Sequence, residues 1–328
     1  MSRIPRPLRH LRLAAVVVAV PLLATLACSG PDPDQAAQPA SGATVNTSPE
    51  QNRVRAEKDD ALAAKVPQAV RDKGTLVVGT TGNGSPPLSF RADDDRTIIG
   101  TEPDVAQLVA DKLGLRLDLR PTSWENLFLA TESGSYDAAL SNVTVTEARK
   151  DKYDFATYRV DTVSFEGPTA GKVATIGKPA DIAGLTIGVG SGTNQEQILL
   201  DWDAQNKAAG LAPAKIQYYE NQGDYYLALD SGRLDAYFGP NPGVAYHVAT
   251  GGKTKILGSV NGGGGSVQAD IAVMTKKGNG LIGPVHEALN QLIQEGKYSE
   301  VLERWKLTNE AVTTSVINPP GLPRKAAS

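Results

Sequence analysis

Apolar positions along this chain switch repeatedly between two periods. Thr75 to Thr80 (TLVVGT) is a short apolar run closed by turn residues and predicts a buried strand. Thr101 to Leu113 (TEPDVAQLVADKL) places Val105, Leu108, Val109 and Leu113 on one helical face, with a capping box from Thr101 and Asp104, Pro103 in the first turn and Gly114 beyond the end. Leu115 to Leu119 (LRLDL) alternates as a strand. A helix is predicted from Trp124 to about Ser133, a strand over Ala138 to Leu140, and another helix starting near Thr146. After a break around Gly167 to Pro179 the alternation resumes. Its elements are strand Leu185 to Val189, helix Asn194 to Lys207, strand Lys215 to Tyr218, helix Gly223 to Ser231 and strand Ala236 to Phe238. A strand-like Asp270 to Thr275 and a helical end from Val285 to Trp305 follow.

Strands that alternate with helices in this way predict an α/β fold with mainly parallel sheets, and two such sets in succession predict two similar lobes with a cleft between them. The last strand and helix read as a return to the first lobe, with crossovers near Tyr158 to Phe165 and near Gly262 to Gln268. The expected organisation is therefore lobe 1 over residues 59–163, lobe 2 over 164–264, the return to lobe 1 over 265–310, and a C-terminal tail over 311–328.

Composition changes the picture at the amino end. Arg3, Arg6, Arg9 and Arg12 precede an apolar run from Leu13 to Ala27, the pattern of a secretory leader covering residues 1–27. At about fifteen residues the run is shorter than the ~20 that a spanning helix needs. Cys28 follows directly and is the single cysteine of the chain, so neither an internal disulfide nor a cysteine metal site is available. Small residues before this cysteine and a Gly/Pro/Ser-rich stretch after it resemble a lipobox. Acylation at Cys28 would tether the protein to a membrane without spanning it. Residues 28–58 read as a flexible tether. Without the four leader arginines the formal charge of −3 becomes −7, a sign that disfavours nucleic acid as a partner.

The stretch Ser141 to Ala156 (SNVTVTEARKDKYDFA) carries the sharpest chemical signal. Arg149 falls in the first turn of the helix expected near Thr146, where the helix dipole already favours anions and a cation is out of place. A missing anion explains it: a guanidinium fork suits a carboxylate, and backbone N–H groups at helix starts near Thr146 and Thr193 are anion sites. Thr193 with Glu196 also forms a T-x-x-E capping box. IGVGSGTNQE imitates a dinucleotide loop, but Thr193 replaces its third glycine. Outside the leader, His247 and His286 have no metal spacing and no nearby nucleophile, and Asp201 and Asp203 diverge on a helix. The residues predict no enzyme, no cofactor and no metal.

The order of motifs resembles the bacterial solute-binding proteins of family 3, the extracytoplasmic components of polar amino acid ABC transporters. The pieces are GTLVVGT, PPLSF, IIGTEPDVAQLVADKLG, TSWENL, GSYDAALSNVTVTEARKDKYDFATY, LTIGVGSGTNQE, SGRLDAYF and EALNQLIQEGKYSEVLERW. The resemblance implies a two-lobed type II periplasmic-binding-protein fold. It also implies a carboxylate clamp from Arg149 with donors from Ser141, Asn142 and Thr144, second-lobe donors from Thr193 and Asn194, and Trp124 covering the substrate side chain. The family's ammonium-binding aspartate falls at Pro240, and a further acid and an aromatic ring fall at Thr81 and Gly84, so Asn241, Tyr237 or Asp235 would have to substitute. The implied protein is a monomeric, lipid-anchored binding protein on the outer face of the membrane. It would deliver an amino acid or a derivative to an ABC permease and its ATPase. A cyclohexadienyl dehydratase-like enzyme on the same scaffold and a sensory ligand-binding module are the alternatives.

Overall fold

A computed structural model describes residues 45–324 apart from 85, 252 and 266. The expected leader, Cys28, the first part of the tether and residues 325–328 of the tail lie outside the described residues.

Helices α1 (Asp60–Ala63) and α2 (Gln68–Lys73) lead into β1 (Thr75–Thr80) and a small hairpin, β2 (Phe90–Arg91) and β3 (Ile98–Ile99). Next come α3 (Thr101–Lys112), β4 (Arg116–Pro121), α4 (Trp124–Ser133), β5 (Ala138–Ala139) and β6 (Tyr153–Val160). The second lobe holds β7 (Thr162–Pro168), β8 (Thr186–Val189), α5 (Asn194–Ala208), β9 (Lys215–Tyr218), α6 (Gln222–Asp230), β10 (Ala236–Pro240), α7 (Asn241–Gly251) and β11 (Thr254–Asn261). The chain closes through β12 (Asp270–Lys276), α8 (Ile282–Gln294), α9 (Lys297–Arg304) and a 3₁₀ turn at Thr308–Glu310.

The first sheet has the order β4-β1-β5-β12-β6 and the second β11-β7-β10-β8-β9. β12, last in sequence, lies between β5 and β6, so the chain does return to its first sheet. Asp161 alone separates β6 of one sheet from β7 of the other, and the second crossover runs from Asn261 to Asp270. Both sheets are mixed, because the strands flanking the crossovers run antiparallel while β4, β1 and β5, and likewise β9, β8 and β10, run parallel.

Each sheet is covered on both faces, which explains why its strands read as apolar runs. In β12, Ile271 and Val273 join the core under α3, α8 and α9, while Ala272 and Met274 join the core under α4. In β10, Ala236 and Phe238 enter one core with Phe165 and Trp202, and Tyr237 enters the other with Tyr225 and Val244.

Four local expectations change. No α-helix begins at Thr146: the N–H of Val145 donates to Asp270 O and that of Glu147 to Leu322 O, leaving only a 3₁₀ turn at Arg149–Asp151. Thr101 does not cap α3. Its hydroxyl donates to Pro87 O, while Gly100 precedes the helix at φ 128° with Leu88 O only 2.0 Å from where a Cβ would stand. Asp104 is buried against Arg53 and Trp305 instead of serving a capping box. The terminal helix breaks at Gly296, which sits at φ 77°. Finally, the described part of the expected tether lies against lobe 1: Val54 and Ala56 pack on its core, and Arg53 and Arg55 pair with Asp104 and Asp111 of α3.

Candidate functional site

A cavity of about 390 Å³ opens where the carboxyl ends of the parallel strands of both sheets meet. Thr81 follows β1, Trp124 and Glu125 start the helix after β4, and Ser141 and Asn142 follow β5. From the other lobe, Gly190 and Ser191 follow β8, Tyr219 and Glu220 follow β9, and Gly239 and Pro240 end β10. Strand carboxyl ends are where open α/β sheets present loops and helix starts to a ligand.

Ser141, Asn142, Trp124, Thr193 and Asn194 all line this cavity, whereas Thr144, Arg149 and Asn241 are not among its lining residues. Ser141 Oγ accepts from Thr81 N at 3.0 Å and shares a 2.8 Å hydrogen bond with the Thr81 hydroxyl. Asn142 adopts φ 52° and accepts from Arg159 Nη2 at 2.5 Å. Thr193 Oγ1 accepts from Glu196 N at 3.1 Å and donates to Gly190 O at 2.7 Å, and the Glu196 carboxylate accepts from Gly192 N at 2.7 Å. The turn before α5 is thereby fixed, and Thr193 spends its hydroxyl within it. Asn194 Nδ2 donates to Asp161 Oδ2 at 2.8 Å and to Gly262 O at 3.0 Å, joining α5 to both crossovers. Thr144 Oγ1 donates to the same Asp161 oxygen at 2.7 Å. Asn241 Oδ1, buried behind Pro240, accepts from Ser164 Oγ at 2.8 Å.

Arg149 lies just behind the cavity wall and spans the lobes. Its Nη1 donates to Thr144 O at 2.8 Å in lobe 1, and its Nη2 donates to Gly192 O at 3.0 Å in lobe 2. The rings of Trp124 and Phe128 pack over the guanidinium at 5.3 and 4.9 Å, a cation–π arrangement. Burial lowers its pKa to about 10, only partly offset by Asp161 and Tyr153. Among the described residues no carboxylate forms an ion pair with it, unlike Arg159.

Arg159 is fully buried at 0 % exposure and sits between two carboxylates, pairing with Glu102 Oε1 at 2.9 Å and with Glu310. Tyr158 Oη donates to the other oxygen of Glu102. Burial opposes the charge on Arg159, but Glu310 and Glu102 more than restore it and hold its pKa above the ordinary arginine value. One cation cannot neutralise Glu102, Glu310 and nearby Asp161 together. Burial accordingly pushes Glu310 up to about 7 despite Arg159, and raises Asp161 against its bonds from Thr144 and Asn194. Asp270, beside Asp161 at the second crossover, rises to about 6, through burial first and Asp161 second.

Sequence reasoning missed Arg159, Glu102 and Glu310, although a signal existed for the first. Arg159 shares the period-2 face of Phe155 and Thr157 on a strand buried along most of its length, where a solvated arginine would be out of place. It also missed the wall chemistry. Glu102, Glu125, Glu220, Tyr219 and Tyr225 line the cavity beside the expected Trp124 and Tyr237, and among the described residues no lysine, arginine or histidine lines it. The positions expected to carry the usual ammonium contacts, Thr81, Gly84 and Pro240, do lie on the wall. Of the suggested substitutes, Tyr237 lines the cavity, while Asp235 accepts from Thr186 N at 2.8 Å, away from it.

The sequence profile described as bacterial extracellular solute-binding proteins, family 3, matches residues 76–308. The L-cystine-binding protein TcyJ of Escherichia coli (strain K12) is 30 % identical over 253 residues, covering 77 % of this chain and 88 % of that protein. Among solved structures, an ancestral arginine-binding protein bound to arginine superposes with a TM-score of 0.61 at 26 % identity, covering 71 % of this chain and 98 % of the other. The substrate binding protein of an amino acid ABC transporter superposes with a TM-score of 0.59 at 26 % identity, covering 70 % and 98 %.

Proposed function

The chain belongs to the bacterial extracellular solute-binding proteins, family 3, and we propose that its cleft closes on an amino acid whose α-carboxylate meets Arg149 and whose remainder carries positive charge. In this reading it is the extracytoplasmic binding component of an ABC importer, anchored through an acylated Cys28.

The observation that carries the reading is the state of Arg149. Its guanidinium is half-buried and covered by two rings, has its pKa lowered by burial, and among the described residues bonds only neutral carbonyls. A carboxylate would restore what burial costs this cation. The Gly192 carbonyl stands where one oxygen of that carboxylate would accept, and the N–H groups of the turn before α5 supply further donors. Among the described lining residues the acids not already paired are Glu125 and Glu220, and with the aromatic faces and no basic side chain beside them they favour a cationic remainder over an acidic one. Of the proteins named above, one is an L-cystine-binding and one an arginine-binding protein, and the wall chemistry points toward the latter kind of solute.

Glu102 has both oxygens engaged by Arg159 and Tyr158, so it is poorly placed as the free acid that a dehydratase would need. A thermal-shift comparison of L-arginine, L-cystine, L-glutamine and L-glutamate tests the proposal. L-Arginine at a hundred times its Kd should add about 2.7 kcal/mol of stability. Arg149→Ala should abolish most of that gain. Stabilisation by L-glutamate instead would overturn the charge assignment, and an unchanged response in Arg149→Ala would overturn the clamp.

A further inference from the structure

We propose that the segment from Glu310 to Pro323 is a clasp that fixes the Arg149 turn and ties the two lobes together, setting how slowly the cleft releases its solute. The effect on release rests on the reading of the cleft given above; the structural part of the clasp does not. The segment lies past residue 308, where the family match ends.

Its root is buried. Glu310, 1 % exposed, pairs with Arg159, and through Arg159 it fixes Glu102 and Asn142 of the cavity wall. The segment then runs antiparallel along β6, the edge of the first sheet. Thr157 N donates to Val316 O at 3.1 Å, Asn318 N donates to Phe155 O at 3.1 Å, and Phe155 N donates to Asn318 Oδ1 at 2.8 Å. A tail that merely covered a sheet edge could stop there.

This one continues to a second anchor. Leu322 N donates to Val145 O at 3.1 Å and Leu322 O accepts from Glu147 N at 3.0 Å, so the tip brackets the turn that presents Arg149. Lys150 Nζ donates to Pro319 O at 3.0 Å, and Gly321 N donates to the Glu147 carboxylate at 2.9 Å. The tip also reaches lobe 2, where Gln197 Nε2 of α5 donates to Pro323 O at 2.8 Å. Leu322 is 3 % exposed, and a Cβ placed on Gly264 would stand 3.6 Å from its Cδ1 and 3.5 Å from Ile198 Cγ1. Tail, second crossover and α5 therefore meet at one apolar point. Opening the lobes moves α5 relative to the Arg149 turn, so it must break this junction.

The full chain is compared with Leu322→Ala, Leu322→Met, Gln197→Ala and Glu310→Gln, with Lys297→Ala on the exposed face of α9 as a surface control. Amide exchange is read at 144–151, 194–198 and β1, and L-arginine dissociation by stopped-flow tryptophan fluorescence. Leu322→Ala should raise exchange at 144–151 and 194–198 and speed dissociation about tenfold, equivalent to about 1.4 kcal/mol. Exchange in β1 should stay unchanged, and Leu322→Met should restore both readouts. Gln197→Ala and Glu310→Gln should move them in the same direction, and Lys297→Ala should not. Faster exchange everywhere, or unchanged exchange at 144–151 in both Leu322→Ala and Gln197→Ala, overturns the clasp. If Leu322→Ala does not fold, Gln197→Ala decides. If L-arginine does not bind the unaltered protein, the cleft reading fails by itself, and exchange at 144–151 still decides whether the clasp exists.

Discussion

Two arginines in this protein are withdrawn from solvent to different degrees and to different ends. Half-buried Arg149 bonds two carbonyls in two lobes and forms no ion pair among the described residues, and in the proposed cleft its charge meets the solute carboxylate. Arg149→Lys keeps the charge but replaces a planar fork with a point donor that cannot reach both carbonyls in the same geometry. It should fold normally and bind L-arginine at least tenfold more weakly, about 1.4 kcal/mol, by titration calorimetry. Arg159 is the opposite case, since it is wholly committed to Glu102 and Glu310. Arg159→Met strands two buried carboxylates and should cost about 3–5 kcal/mol in urea unfolding. A loss below 1 kcal/mol would mean that the acids take up protons instead. Arg149 was legible because a cation near an expected helix start is locally anomalous. Glu102 was not: it looks like an ordinary acid in a first helical turn, and its burial depends on Arg159 and Tyr158, both more than fifty residues away.

At the scale of elements, local signals fared best where one segment supplies its own hydrogen bonds. Helix α4 runs over Trp124–Ser133 as the pattern predicts, because Ser123 caps it, accepting from Asn126 N, and a left-handed glycine at 134 ends it. Helix α5 likewise starts behind Thr193. Thr193→Ala removes both the cap and the bond to Gly190 O and should cost about 1 kcal/mol, up to about 2, in urea unfolding. The same change should weaken ligand binding, because it loosens a turn that lines the cavity. Where partners are distant, the sequence located the crossovers but not the extent and pairing of the strands that form them. β6, β7 and β11 form the crossovers and are defined by pairing with β12, β10 and each other, and the helix expected at Thr146 yields to bridges with Asp270 and Leu322.

At the scale of the molecule, the crossovers concentrate charge in a dry region. Glu310 rises from 4.5 to about 7 and Asp270 from 3.8 to about 6, in both cases chiefly through burial. A raised carboxylate binds its proton more tightly in the folded state, so its contribution to stability is full below the unfolded pKa and fades as pH rises through the folded one. The thermal midpoint should therefore fall between about pH 5 and pH 8, and Glu310→Gln should flatten that fall. A midpoint that climbs over this range would contradict the assignment. If the cleft closes on its solute as proposed, small-angle scattering should show a smaller radius of gyration with L-arginine than without it.

The alternation of strands and helices, the two-lobed α/β plan with its return to the first lobe and the family were legible in the sequence alone, which also singled out Arg149 for the proposed clamp. Those features are written in local periodicity, caps and motif order, each of which a short segment carries without help. Tertiary structure decided the rest: the antiparallel crossover strands, the Arg159 cluster, the glutamate-and-tyrosine wall, and the tail that runs from Glu310 back to the Arg149 turn. Each of these depends on which distant residues share a low-dielectric space, and burial, not residue type, sets what a charge there can do.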